Sequence, residues 1–273
     1  MAKQQPKSAP KKAEPKGTAV STELKDKTMV LIQDQVPDHL QGKTQGAGRG
    51  SENVGTEDLV IPRLEVLQAL SPMCTRANAE YNKSAEPGML TNSVTNQLYG
   101  KEVFVVPVHY SKQWLVWKDR QKGGGFFGAY PDPEAAKDRV NQEGGEEAGV
   151  LAIDTPTHLC LLINRETNAV DEVIVSMPRT KAKISRQWNS MIRMAGGDRF
   201  ARVYRITSNA EKNAKGEYFN FAVAQSGFPA KGLYAKAEKL WASIDKGRTF
   251  KMDTTGFDPG EEGGAPSGDD GEM

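Results

Sequence analysis

Short runs of apolar or alternating apolar and polar residues recur along the middle of the chain: Gly88 to Ser93, Lys101 to Tyr110, Trp114 to Lys118, Thr157 to Asn164, Asp171 to Met177, Ala201 to Thr207 and Tyr218 to Ala224. Their period of two and their richness in Val, Ile, Thr and aromatic residues predict β-strands. Asn-Arg-Glu-Thr-Asn-Ala, between Ile163 and Val170, reads as a hairpin turn, and Ser208 to Gly216 reads as another. Strands joined by hairpins favour an antiparallel barrel or sandwich over a βαβ sheet.

Two segments change period to that of a helix. Thr180 to Met194 places Ile184, Trp188, Met191 and Ile192 on one face, with Gly196-Gly197 as a stop. Residues 231–246 repeat the pattern with Leu233, Ala237, Leu240, Trp241 and Ile244, closed by Gly247. Both stripes predict core packing, with Trp188 and Trp241 as buried anchors. At Asp58 to Pro72 the internal Pro62 argues against a central strand and predicts an extended edge segment or a short helix. Residues 132–149 form a charged, Gly-rich excursion with a short helix from Pro133 to Val140. The expected fold is a β-rich α+β domain, an antiparallel OB-like barrel with insertions and two amphipathic helices.

Charge changes this picture at the ends. Residues 1–28 carry seven lysines against three acidic residues, and residues 252–273 carry seven acidic residues and no base, although the 273-residue chain has a net charge of only +1. Segments so charged and so rich in Gly and Pro bury too little apolar surface to offset their ordering entropy. The expected division is a basic, largely disordered segment over 1–56, a folded domain over 57–251 and an acidic disordered tail over 252–273. Met29-Val-Leu-Ile-Gln interrupts the first segment, as a short strand or a docking segment. The two cysteines, Cys74 and Cys160, show no disulfide or metal spacing, and no apolar run approaches the ~20 residues of a membrane span. A reducing, soluble compartment is expected.

Chemistry concentrates in Gln113 to Tyr130. Eighteen positions hold two Trp, two Phe, one Tyr, four Gly and three basic residues. Rings interleaved with cations suit base stacking and phosphate neutralisation. Strand alternation puts Trp114 and Trp117 on opposite faces, so one can be core while the other faces a groove; burial of both under a helix is the competing reading. Phe126 and Phe127, between glycines, read as a mobile base-stacking loop, with Lys118, Arg120 and Lys122 on phosphates and Tyr130 at its end. Tyr110 with Lys112, then Arg179, Lys181, Lys183 and Arg186, then Arg202 with Tyr204 add cations and rings at strand and helix edges. Gly123, Gly125 and Gly128 match Gly-x-Gly-x-x-Gly, but Tyr130-Pro-Asp-Pro follows where a helix must open, which argues against a dinucleotide site. No P-loop, nucleophile elbow or metal-binding His spacing occurs, so neither cofactor, metal nor catalysis is expected.

Several motifs together carry a resemblance: Ile61-Pro-Arg-Leu-Glu-Val-Leu-Gln-Ala-Leu-Ser-Pro, Gly88-Met-Leu-Thr-Asn, Leu98-Tyr-Gly, Val105-Val-Pro-Val and Trp117-Lys-Asp-Arg-Gln-Lys-Gly-Gly-Gly-Phe. Over residues 58–228 the chain resembles the single-stranded DNA-binding proteins of tailed bacteriophages. The resemblance implies sequence-independent binding of single-stranded DNA in phage replication or recombination, in the cytoplasm of an infected bacterium, with possible self-association. Asp253 to Met273 is similar to the acidic tails by which such proteins recruit replication partners, although Asp-Asp-Gly-Glu-Met lacks the usual hydrophobic tip. A protein-interaction or accessory role and a strand-annealing role are the alternatives.

Overall fold

One strand, β5 (Glu102–Lys118), accounts for most of the architecture. At ~3.3 Å per residue its 17 residues run about 55 Å, several times the usual strand length. Its second edge pairs antiparallel with β7 (Val150–Ile163), from Phe104↔Ile163 to Lys118↔Val150. The other edge is divided. Residues 102–105 pair with β9 (Val203–Asn213), whereas residues 114–118 pair with β6 (Gly125–Tyr130). β8 (Val170–Ser176) lines the inner part of β7, and β10 (Gly216–Gly227) forms a long hairpin with β9. Pro107, which has no N–H to donate, sits where the β5–β7 register shifts.

The computed structural model describes residues 49–55, 58–119, 122–165, 168–213, 216–248 and 251–252. The chain divides into two units, Met1–Val54 and Gly55–Met273, and all the elements named here belong to the second. The expected disorder of residues 1–48 and of the tail beyond 252 lies outside the described residues.

Smaller elements complete the unit. β2 (Leu64–Val66), β3 (Leu90–Asn92) and β4 (Leu98–Gly100) make a three-stranded antiparallel sheet, and β1 (Val60–Ile61) pairs in parallel with β11 (Lys251–Met252). Pro62 falls in the break between β1 and β2. Three helices occur among the described residues: α1 (Pro133–Gln142), α2 (Lys181–Ala195) and α3 (Lys231–Asp245). Asp132 caps α1 by accepting from the N–H groups of Glu134 and Ala135.

The run Leu159-Cys-Leu-Leu is apolar throughout because both faces of β7 are covered. Cys160 and Leu162 join Val103, Val105, Trp188, Tyr204 and Phe221 in a core beneath α2 and the three-stranded sheet. Leu159 and Leu161 face the other way, joining Val106, Val108, Ile174, Ala237 and Leu240 beneath α3. A third cluster under α1, built on Val116, Ala136, Val140 and Val150, seals the outer end of the β5–β7 ribbon. Each fully buried aliphatic or aromatic side chain contributes about 1.5–3 kcal/mol.

The mixed, strand-rich α+β class and the antiparallel pairing match the sequence expectation. Among the described residues, however, the strand order is open, β10-β9-β5-β7-β8, and no closed barrel forms. Two predicted runs, Lys101 to Tyr110 and Trp114 to Lys118, are one strand, and the predicted loop at Phe126 is the paired strand β6. Trp188 is fully buried as predicted, but Trp241 is 44% exposed, because α3 buries only Ala237 and Leu240.

Gly88 turns the chain into β3 at φ +86°, and a Cβ there would meet the Phe219 ring at 2.7 Å. Gly88→Ala is expected to cost on the order of 1–3 kcal/mol, measured as a lowered denaturant midpoint without a change in slope.

Candidate nucleic-acid interface

A groove follows the first half of α2. Beyond the end of β8, the β7 residues Leu151 to Asp154 form one wall, and Arg179, Lys183 and Arg186 from the start of α2 form the other, enclosing about 570 Å³. A second lobe of about 300 Å³ continues along the helix past Gln187 and Met191 to Asn209 and Asn220 on the β9–β10 hairpin. Both lobes share Thr180, Lys183 and Glu211, so they are two parts of one groove.

Local structure explains the cationic wall. Arg179 adopts a left-handed conformation at φ 51°, in the turn that leads from β8 into α2. Thr180 makes no side-chain cap, and the first helical N–H groups, of Lys181 and Ala182, donate instead to the carbonyls of Pro178 and Arg179 in that turn. Arg179 Nε and Thr180 Oγ1 are buried without a hydrogen-bond partner among the described residues. Lys183 and Arg186, on the outer face of α2, are exposed.

Aromatic residues adjoin this groove through one residue. Trp117 lies directly opposite Leu151 on β7 and opposite Phe126 on β6. Its ring meets Phe126 at 4.8 Å, tilted by 37°. Phe126 stays 40% exposed and Leu151 37% exposed. Directly opposite residues share a sheet face, so Phe126, Trp117 and Leu151 make an apolar stripe ending at the groove wall.

The other sequence candidates divide by burial. Trp114 is half-buried under α1 with Tyr130 and Phe127. Tyr130 donates its hydroxyl proton to the Phe127 carbonyl, and Arg139 covers the Phe127 ring at 5.5 Å. Phe127 is thus half-buried against a small core in a paired strand, which corrects the reading of residues 126–127 as a loop. Lys112 pairs with Asp154 at 2.8 Å beside Trp114. Lys118 is half-buried at the end of the strand. Lys122 donates to the Glu147 carbonyl at 2.6 Å and crosses Gly149 closely, tying the β5–β6 turn to the segment before β7. Arg120 lies outside the described residues.

Three further candidates are engaged within the fold. Tyr204 is 1% exposed, its ring edge-on to Trp188 at 5.7 Å, and is core. Lys181 is buried over the Phe221 ring at 5.0 Å, and burial depresses its pKa to about 8 despite the nearby Glu65. Arg202 donates to the carbonyls of Ala195 and Gly196 at the far end of α2, where it satisfies the helix C-terminus. Of the sequence candidates, the structure gathers Arg179, Lys183, Arg186, Trp117 and Phe126 around one surface.

The chain matches the family of Pam3 phage gp34-like proteins over residues 25–249. It belongs to that family. No curated protein and no solved structure matches it. Membership points to a bacteriophage protein, and the family's name specifies neither ligand nor activity.

Several groove residues have no signal in the sequence: strand register brings Asp154, Asn209, Glu211, Tyr218 and Asn220 to the groove, and α2 adds Gln187. Glu211 Oε2 accepts from the Tyr218 hydroxyl at 2.6 Å and from Asn220 Nδ2 at 3.2 Å. That bond to the carboxylate pushes the Tyr218 pKa up to about 12, so the phenol keeps its proton. Behind the groove, His158 on β7 joins Ser185 at 2.8 Å and Arg199 at 2.6 Å, and stacks on Trp188 at 4.3 Å. Arg199 also donates to Asn189 and covers Tyr110, which packs edge-on against His158. This network fixes α2 against β7, and Tyr110 serves it rather than the surface. No group of three His, Cys, Asp or Glu side chains suited to hold a metal occurs among the described residues, and no helix there is long and apolar enough to cross a membrane.

Burial first, and Arg199 second, hold the pKa of His158 well below 6.5, and the same two causes lower that of His109. The unfolded chain therefore takes up protons below about pH 6.5 that the folded chain refuses, and stability falls as pH drops, by up to ~1.4 kcal/mol per unit from the buried His158 and less from the half-buried His109, where water screens the charge. Denaturant unfolding at pH 7.5 and 5.5 is expected to show this loss, and His158→Gln to show a shallower one.

Proposed function

We propose that the chain is a non-catalytic, largely sequence-independent binder of single-stranded DNA that acts in phage DNA replication or recombination. The observation that carries this reading is the cationic groove along α2, whose β7 wall continues into the half-buried Trp117 and the exposed Phe126 packed against it. Arg179, Lys183 and Arg186 take the phosphates, and the aromatic stripe takes bases by stacking, worth ~1–3 kcal/mol per base. The OB-like element of this reading is the use of an antiparallel sheet surface as a stacking platform. The acidic tail, 252–273, recruits replication or recombination proteins by its charge, and the site of action is the cytoplasm of the infected bacterium.

A protein-interaction role is the second reading. It is favoured by the exposed Phe228, which packs against Arg202, and by Met194 beside the α2 C-terminus that Arg202 caps. Such aromatic, Met and Arg groupings are typical of interface centres. It predicts partner binding that is insensitive to salt.

In the DNA reading, each phosphate-contacting cation contributes to the salt slope of binding. Lys183→Ala and Arg186→Ala are each expected to weaken binding of a mixed-sequence single strand and to lower the log–log salt slope by about 0.7. Fluorescence anisotropy at a series of salt concentrations measures it, and an unchanged slope in both variants removes the groove from the binding surface.

A further inference from the structure

A carboxylate in the middle of a phosphate-binding groove is an anomaly to be explained. Two acidic side chains line the groove, and they are held differently. Asp154 is matched by Lys112 at 2.8 Å. Glu211 is held by neutral donors, the Tyr218 hydroxyl and Asn220 Nδ2, both on the same oxygen, Oε2. The carboxylate is therefore held in orientation and stands at the junction of the cationic lobe with the second lobe.

That second lobe differs in chemistry from the first. Beyond the shared Thr180, Lys183 and Glu211, it is lined by Gln187, Asn209 and Asn220 together with Ile184, Met191 and Val223, so the side chains it adds are amides and apolar groups. Amides and an apolar wall suit the edge and face of a base, whereas the lobe with Arg179 and Arg186 suits its phosphate. A carboxylate at the entrance accepts hydrogen bonds and repels acceptors. A cytosine amino group, N4–H₂, is a donor that matches it, while thymine presents the O4 carbonyl at the same position. The favourable bond to one base and the unpaired acceptor against the other act in the same direction.

We propose that the second lobe is a base-reading subsite in which Glu211 accepts a hydrogen bond from the amino group of a cytosine, giving the otherwise sequence-tolerant groove a local preference for cytosine over thymine. This assignment rests on the single-stranded DNA reading. Tyr218 acts as a positioning residue, because its hydroxyl orients the carboxylate that meets the base.

The test compares the full chain binding labelled oligo(dC) and oligo(dT) of equal length, by anisotropy at fixed salt; both are pyrimidine strands with little stacking of their own. The wild type is expected to bind oligo(dC) about three- to tenfold more tightly. Glu211→Gln, whose amide both donates and accepts, is expected to bring the ratio close to one, mainly by tightening oligo(dT). Tyr218→Phe is expected to reduce the ratio while leaving the salt slope unchanged, and circular dichroism checks that both variants keep the fold. Equal wild-type affinities for the two strands, or a preference that Glu211→Gln leaves intact, overturn the subsite while leaving the groove's function standing. Failure of both strands to bind at any salt overturns the function reading and the subsite with it.

Discussion

The pairing of β5, from Phe104 to Lys118, with the full length of β7 is the constraint from which the rest of the molecule follows. Because opposite residues share a face and successive residues alternate, this one register decides which side chains go under α2, which under α3 and which under α1. A slip of one residue would move His158 and Cys160 away from α2 and expose Leu159 and Leu161 to the wrong cover. The His158–Ser185–Arg199 network guards against such a slip. Its polar partners are satisfied in only one register, and a buried polar group without its partner costs about 1–3 kcal/mol.

The groove is a consequence of where β8 stops. β8 pairs with β7 only up to Thr157, which leaves the Val150 to Pro156 edge of β7 without a strand neighbour among the described residues. The chain turns at Arg179 into α2, so Arg179, Lys183 and Arg186 face that edge. The hairpin of β9 and β10 then brings Glu211 and Tyr218 to the same surface from the opposite end of the sheet. Cationic wall, carboxylate and aromatic stripe are contributed by separate parts of the chain, and the ribbon positions them all.

The helical stripe of α2 was legible because Ile184, Trp188, Met191 and Ile192 follow a strict period, and the strands around Cys160 and Val173 were legible from continuous apolar runs. β6 was hidden. Its glycines favour loops by local preference, and only pairing with β5 holds Gly125 and Gly128 at positive φ in an extended strand. The site was legible in part. Arg179, Lys183 and Arg186 stand out as cations flanking a predicted strand end, but sequence alone does not separate them from Lys181, two positions before Lys183 and turned into the core. Tyr204 and Trp241 exchange the roles their patterns suggest, since burial there depends on which face of the sheet each helix covers. Glu211 and Tyr218 carry no local signal, because their meaning depends on partners across the hairpin and on α2.

The central claim is that the surface uniting the α2 groove with Trp117 and Phe126 binds single-stranded nucleic acid. Titration of intrinsic tryptophan fluorescence with a single strand and with its duplex, at low and high salt, tests this most directly in wild type and in Trp117→Phe. The account predicts quenching by the single strand that weakens with salt, a much weaker response to duplex, and loss of most of the quenching in Trp117→Phe. Absence of quenching, or quenching that Trp117→Phe leaves unchanged, would contradict it.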